Sequence, residues 1–266
     1  MGIMSRKEKN VIKHYGKIVR YPCGIADIMA CSDPIFGEKG WENADTWGTK
    51  KVQDIGQQKT RKSADPETED LQRSMRRARA KVRRLALAND FRWFVTLTLD
   101  PMKVDRESGE AVVRKLNAWC SNMVQRKGLR YILVPEYHKK GGIHFHGFFN
   151  DVMEVVDSGH RDREGHAIYN MPGWTLGFTT AIELYGDYPS AVGYVCKYIG
   201  KGGRKPAGRW YYSGGALQEP RIEYAAISAA ELVAEYGSKA MELTLPGKRL
   251  VVVNGIVLEQ VQKEEV

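Results

Sequence analysis

Residues 131–149 run Tyr131-Ile132-Leu133-Val134-Pro135-Glu136-Tyr137-His138-Lys139-Lys140-Gly141-Gly142-Ile143-His144-Phe145-His146-Gly147-Phe148-Phe149. Two apolar runs, Tyr131–Pro135 and Ile143–Phe149, flank the turn Lys139-Lys140-Gly141-Gly142. Glycine reaches positive φ at no steric cost, so this is the pattern of a β-hairpin. Side chains alternate across a strand, which puts His144 and His146 on one face and Phe145 on the other. Pairing across the turn brings Glu136 beside the two histidines. Two imidazoles and a carboxylate, with positions left open, can hold one divalent cation. The carboxylate favours hard Mg²⁺ and the imidazoles shift the preference toward Mn²⁺. A His-x-His pair alone is ordinary on a wet strand; the carboxylate at hairpin distance makes it a candidate site.

Outward from the hairpin, Phe91–Leu99 alternates Val95, Leu97 and Leu99 against Thr96 and Thr98, a half-buried strand stopped by Asp100-Pro101. Residues 108–127 read as a helix with Val112, Leu116, Trp119 and Met123 on one stripe, begun at Ser108 or Gly109 and ended by Gly128. On the far side, 150–173 is polar and reads as an irregular surface insertion. Trp174–Leu184 reads as a fourth strand, and residues 189–200 as a short helix opened by Pro189-Ser190 and closed by Gly200. A longer helix is expected over 69–89, with Leu71, Met75, Ala78, Val82 and Leu85 as its apolar stripe. The order of strands and helices predicts an α+β fold around a mainly antiparallel sheet. Residues 59–70 read as a polar linker, 225–238 as a helix, and 250–258 as a small hairpin around Asn254-Gly255. Three regions are expected: an N-terminal extension over 1–70, a domain over 71–215, and a C-terminal extension over 216–266 packed on that domain.

The chain has 266 residues with 41 Lys+Arg against 32 Asp+Glu, a net charge of +9. This excess suits a polyanionic partner, because phosphate contacts release counterions. No apolar run approaches the roughly 20 residues needed to cross a bilayer, and residues 1–20 hold no signal-peptide core, so a cytoplasmic location is expected. The four cysteines, Cys23, Cys31, Cys120 and Cys196, form no Cys-x-x-Cys pair, which speaks against structural zinc and for reduced thiols.

The 189–200 helix contains Tyr194-Val195-Cys196-Lys197-Tyr198-Ile199-Gly200-Lys201. Tyr194 and Tyr198 are four apart and share a face; Lys197 and Lys201 repeat the same spacing toward its edge. A phenol with a pKa near 10 is a poor nucleophile. A neighbouring ammonium stabilises the phenolate, and a metal polarises the phosphorus under attack. Around this helix lie two cationic segments. Arg73, Arg76, Arg77, Arg79, Lys81, Arg83 and Arg84 surround the apolar stripe of the 69–89 helix, as a solvated face or as a phosphate-contacting one. Gly208-Arg209-Trp210-Tyr211-Tyr212 is a cationic aromatic loop that either stacks on bases or packs on the sheet.

Taken together, Phe94-Val95-Thr96-Leu97-Thr98-Leu99, His144-Phe145-His146 and Tyr194–Lys201 resemble, in order, the three motifs of the HUH replication initiators of rolling-circle replication. The paired tyrosines are similar to those of the gene A initiators of small single-stranded DNA phages. The resemblance covers roughly residues 75–213. It implies an antiparallel sheet of about five strands flanked by helices, in an RRM- or ferredoxin-like arrangement. It implies that Glu136, His144 and His146 hold Mg²⁺ or Mn²⁺ against the scissile phosphate. Tyr194 or Tyr198 would attack, leaving a 5′-phosphotyrosine and a free 3′-hydroxyl, with Lys197 positioning or activating the phenol. Arg76, Arg77, Arg84, Lys201, Arg209, Trp210 and Tyr211 are the candidate DNA contacts. The implied partners are single-stranded DNA at a replication origin and a host polymerase and helicase inside a bacterial cell. The sequence contains no Walker A motif, so unwinding is expected from a partner. Two alternatives share part of this pattern: an HUH transposase or plasmid relaxase, and a nucleic-acid-binding module without catalysis. Tyrosines that follow the histidines favour an initiator over a relaxase, and the intact Glu-His-His set disfavours a module that only binds.

Overall fold

A computed structural model describes residues 13–36, 66–138, 141–201, 203, 205–245 and 248–257. The chain divides into two compact units, one made of Met1–Gln58 with Arg221–Val266 and the other of Lys59–Pro220.

The first unit opens with β1 (Lys13–Arg20) and β2 (Ile25–Phe36), paired antiparallel. The second unit follows: α1 (Pro66–Ala88), β3 (Trp93–Leu99), α2 (Gly109–Lys127), β4 (Tyr131–Tyr137), β5 (Ile143–Phe149), β6 (Val156–Arg161), β7 (Ala167–Asn170), β8 (Gly177–Glu183), α3 (Tyr188–Tyr198) and β9 (Tyr212–Gly214). The chain then returns to the first unit with β10 (Arg221–Ala225), α4 (Ala229–Tyr236), β11 (Met241–Leu245) and β12 (Lys248–Val257). Both sheets are antiparallel: β10-β1-β2-β12-β11 in the first unit and β6-β7-β8-β3-β5-β4-β9 in the second. The α+β class expected from the sequence holds, with seven strands rather than about five in the second unit.

In that unit the central order β8-β3-β5-β4 separates two faces. Trp93, Val95, Leu97 and Leu99 of β3 join Phe145, Phe149, Leu133 and the α2 stripe Val112, Leu116 and Trp119 in one apolar core. The helix boundaries follow their capping chemistry. Ser108 Oγ accepts from the Ala111 N–H at 3.3 Å, and Gly128, at φ +69°, donates to the Val124 carbonyl at 3.0 Å. The opposite face carries Thr96, Thr98, Glu136, His144 and His146, with α3 packed over β4 and β5 and α1 packed on α3.

Several expectations are corrected. Residues 150–173 are not irregular: they contain the β6–β7 hairpin, in which β6 is largely exposed and β7 half-buried. Asn254-Gly255 is not a turn. It lies inside β12, where the register against β2 shifts between Val253 and Ile256, and the Gly255 N–H donates to the Asp27 carboxylate at 2.8 Å. Met241–Leu245 and Lys248–Val257 form the actual hairpin. Of the supposed linker, residues 59–65 lie outside the described residues, whereas Pro66–Asp70 is already helix. Residues 1–70 and 216–266 are not two separate extensions of one domain: the strands at both ends of the chain share the sheet of the first unit. No helix among the described residues is long and apolar enough to cross a membrane.

Candidate metal centre and tyrosine pair

Register builds the metal centre. Glu136 on β4 sits directly opposite His144 on β5, and His146 lies two residues further on the same face. One carboxylate oxygen, Glu136 Oε2, lies 3.0 Å from His146 Nε2 and 3.5 Å from His144 Nε2. The candidate ligand atoms of the three residues all fall within 4.8 Å of one another. Thr96 of β3 contacts His146 Nδ1 at 3.1 Å, which leaves Nε2 for the centre. Gly147 permits this strand pairing. A β-carbon there would stand 1.9 Å from the Ile132 carbonyl oxygen.

Burial lowers the pKa of His146 to about 4, with His144 adding to the effect and Glu136 opposing it. Burial likewise lowers His144, against the pull of Glu136. Both imidazoles are therefore neutral at neutral pH, the form that binds metal. Burial works against the charged Glu136, but the hydrogen bond from Lys201 and the charges around it outweigh that and hold its carboxyl below the ordinary range. With the imidazoles neutral, the Lys201 ammonium, 2.6 Å from Glu136 Oε1, is the cation responsible. An anionic oxygen and two neutral nitrogens converging on one point fit a divalent ion, so the group can bind a metal.

Helix α3 brings the tyrosines to this centre. Asp187 caps its start by accepting from the Ser190 N–H at 3.1 Å, with Pro189 in the first turn. Its end is held by Arg79 of α1, whose guanidinium donates to the Ile199 carbonyl at 2.7 and 3.1 Å. Gly200, at φ +86°, lets Met75 lie against the turn; a β-carbon would stand 1.9 Å from its sulfur. The Tyr198 ring stacks on His146 with centroids 4.0 Å apart, and its hydroxyl donates to the Tyr194 hydroxyl at 2.7 Å. Tyr194, 50% exposed, meets Phe94 edge-on at 5.9 Å. Burial, the hydrogen bond to Tyr194 and the negative charge of Glu136 raise the Tyr198 pKa above the usual phenol value.

The remaining expected site residues separate. Lys201 lies 5.3 Å from the Tyr198 ring centroid but spends its charge on Glu136. Lys197, expected beside the phenols, is exposed and has no hydrogen-bond or ion-pair partner among the described residues. Arg76 and Arg77 are exposed and equally without such partners among the described residues, whereas Arg84 is paired with Glu219 at 3.4 Å. Trp210 is not an open stacking platform: it is 7% exposed and donates from Nε1 to Ser74 Oγ at 3.0 Å, tying its loop to α1. Tyr211 is half-buried and Tyr212 buried, which leaves Gly208 and Arg209 as the exposed part of that loop segment. Sequence reasoning missed Thr96 and Arg79, the supports of His146 and α3. The alternation of β3 could have found Thr96; nothing local marks Arg79, since its partner is 120 residues away.

No curated protein and no solved structure matches the chain. The model of one family, replication-associated protein ORF2/G2P, matches residues 92–203, less than half of the chain. The match spans β3 through α3 and takes in Glu136, His144, His146, Tyr194 and Tyr198. The segment that carries Glu136, His144, His146 and both tyrosines is thus similar to the replication-associated protein ORF2/G2P family.

Proposed function

We propose that the protein initiates rolling-circle replication by nicking and rejoining single-stranded DNA through a 5′-phosphotyrosine intermediate. One observation carries this reading: two hydrogen-bonded phenols stand at the rim of the Glu136-His144-His146 cluster, one stacked on a metal-binding imidazole. Mg²⁺ or Mn²⁺ held by these three residues would supply Lewis-acid polarisation of a phosphoryl oxygen. The chain's own residues do the rest. One phenol oxygen forms a bond to phosphorus as the bond to the 3′-oxygen breaks. The phenol gives up its proton, and the departing 3′-oxygen takes one up. Since its surroundings raise the Tyr198 pKa, the phenolate is not stored in advance. The Tyr194–Tyr198 hydrogen bond offers a path for the proton from one phenol to the other. Lys201, whose ammonium lies over the Tyr198 ring at 5.3 Å from its centroid, can balance the charge once it leaves Glu136. The exposed Arg76, Arg77 and Arg209 are suited to backbone phosphates. Unwinding and extension of the 3′ end would fall to a host helicase and polymerase.

The test is capture of a covalent adduct from a randomised single-stranded oligonucleotide pool in Mn²⁺, followed by sequencing of the attached strands. Tyr194→Phe and Tyr198→Phe should each still yield adduct, and the double variant none. His146→Ala and EDTA should also abolish it. Undiminished adduct in EDTA would sink the metal role. Loss of all adduct in one single variant, with full repeated cycling in the other, would show a one-tyrosine enzyme.

A further inference from the structure

A cleft of about 240 Å³ opens beside His144, walled by Thr98 of β3, Arg106 from the loop before α2, and His138 and Gly142 of the β4–β5 hairpin. A single water occupies roughly 30 Å³ in the liquid, so this space admits a base or a sugar-phosphate. Arg106 is built into its wall. Its carbonyl accepts from the Ile143 N–H at 2.9 Å, and its side chain crosses Gly142 so closely that a β-carbon there would stand 2.8 Å from Arg106 Cδ. That side chain is half-buried, and among the described residues it has no hydrogen-bond or ion-pair partner. A pinned guanidinium without a carboxylate, facing a cleft, suits a phosphate.

The rings form a row. Tyr198 stacks on His146 at 4.0 Å, His146 meets His144 at 4.8 Å, and His144 meets His138 at 5.5 Å. The tyrosines therefore meet the cluster at His146, whereas the cleft is lined by His144 and includes neither His146 nor a tyrosine in its wall. Phosphoryl transfer places the attacking and leaving oxygens roughly in line across phosphorus. We infer that the Arg106 cleft holds the DNA strand on the 3′-hydroxyl side of the cut, with Arg106 on one of its phosphates. The inference rests on the nicking reading above. As the phenol oxygen bonds to phosphorus, the electron pair of the breaking bond goes to the 3′-oxygen, which is protonated. Joining reverses this: the 3′-oxygen re-forms its bond to phosphorus, and the phenol leaves and regains a proton. A cleft that retains the 3′ strand keeps that oxygen in place for joining.

The test uses the full chain carrying Tyr194→Phe and Tyr198→Phe, which removes both phenols, with Mg²⁺ and a thymidine pentanucleotide bearing a free 3′-hydroxyl. NMR shifts on titration should gather on Thr98, Arg106, His138 and Gly142. Adding Arg106→Ala should weaken binding about tenfold, the loss expected of one charge-assisted hydrogen bond, and Arg106→Lys should recover part of it. Arg106→Gln keeps the stem across Gly142 and tests the charge alone if the alanine variant misfolds. In the chain with both tyrosines, Arg106→Gln should raise KM for the 3′ strand in joining while intact oligonucleotide still gives adduct. Absence of binding, shifts confined to the tyrosine end, or an affinity indifferent to Arg106 would overturn the inference. Absence of adduct from the chain with both tyrosines would instead defeat the nicking reading and leave the titration readable.

Discussion

Gly147 marks the tightest point of the strand that carries His144 and His146. The atom that a β-carbon would strike is a backbone oxygen of the neighbouring strand, at 1.9 Å, and no rotamer change relieves it. Gly147→Ala should cost about 3 kcal/mol, the upper part of the usual range for overpacking, measured by urea unfolding; a cost below about 1 kcal/mol would contradict the close approach. His146 sets a pH dependence. Its pKa of about 4 in the folded chain lies below the ordinary value of about 6.5. Between these values the unfolded chain binds the extra proton, so this contribution is complete above pH 6.5 and is lost as pH falls toward 4. Glu136, held below the carboxylate range, adds a loss of the same sign at lower pH. In metal-free protein the stability should therefore fall over this window, and His146→Gln should make the slope shallower. The Glu-His-His set was legible in the sequence because a strand period of two and a hairpin turn fix it locally. The fate of Lys197 and Trp210 was not, because spacing places a side chain on a face without saying what that face meets.

At the scale of elements, α3 presents the two tyrosines proposed as nucleophiles, and Arg79 holds its end. Terminal helix carbonyls lack partners within the helix and carry partial negative charge, so two guanidinium hydrogen bonds to Ile199 fix the helix against α1. Arg79→Met should lower stability by about 1.5 kcal/mol and slow adduct formation while leaving Mn²⁺ affinity unchanged. Isothermal titration and adduct kinetics separate the two; a matching loss of metal affinity would mean that Arg79 supports the sheet instead. The same contrast explains which elements could be read. The strands β3, β5 and β8 and helices α2 and α3 are amphipathic or buried, and their caps are local. The β6–β7 hairpin escaped because β6 is largely exposed and β7 only half-buried, which removes a clear apolar alternation. Asn254-Gly255 misled because a glycine at positive φ serves a bulge as readily as a turn, and its partner, Asp27, is 228 residues distant.

For the whole molecule, the excess of nine positive charges should make DNA affinity fall with salt. Arg76 and Arg77 on α1 have no ion-pair partner among the described residues, so replacing both with Ala should flatten the log–log slope for single strands by about 1.4, the effect of two phosphate contacts. An unchanged slope would assign α1 to packing alone. Arg84, paired with Glu219, should contribute less. The division into two units was the least legible feature, because the strands that complete the first sheet are separated in sequence by the entire second unit. This connectivity bears on synthesis. A ribosome delivers β1 and β2 first, yet their neighbours β10 and β12 emerge only after the second unit has been made. Until then both sides of the early hairpin offer unpaired backbone to any passing strand. A message cut short after Pro220 would yield a chain with its tyrosines, Glu136, His144 and His146 present but two orphan strands, making aggregation its first defect.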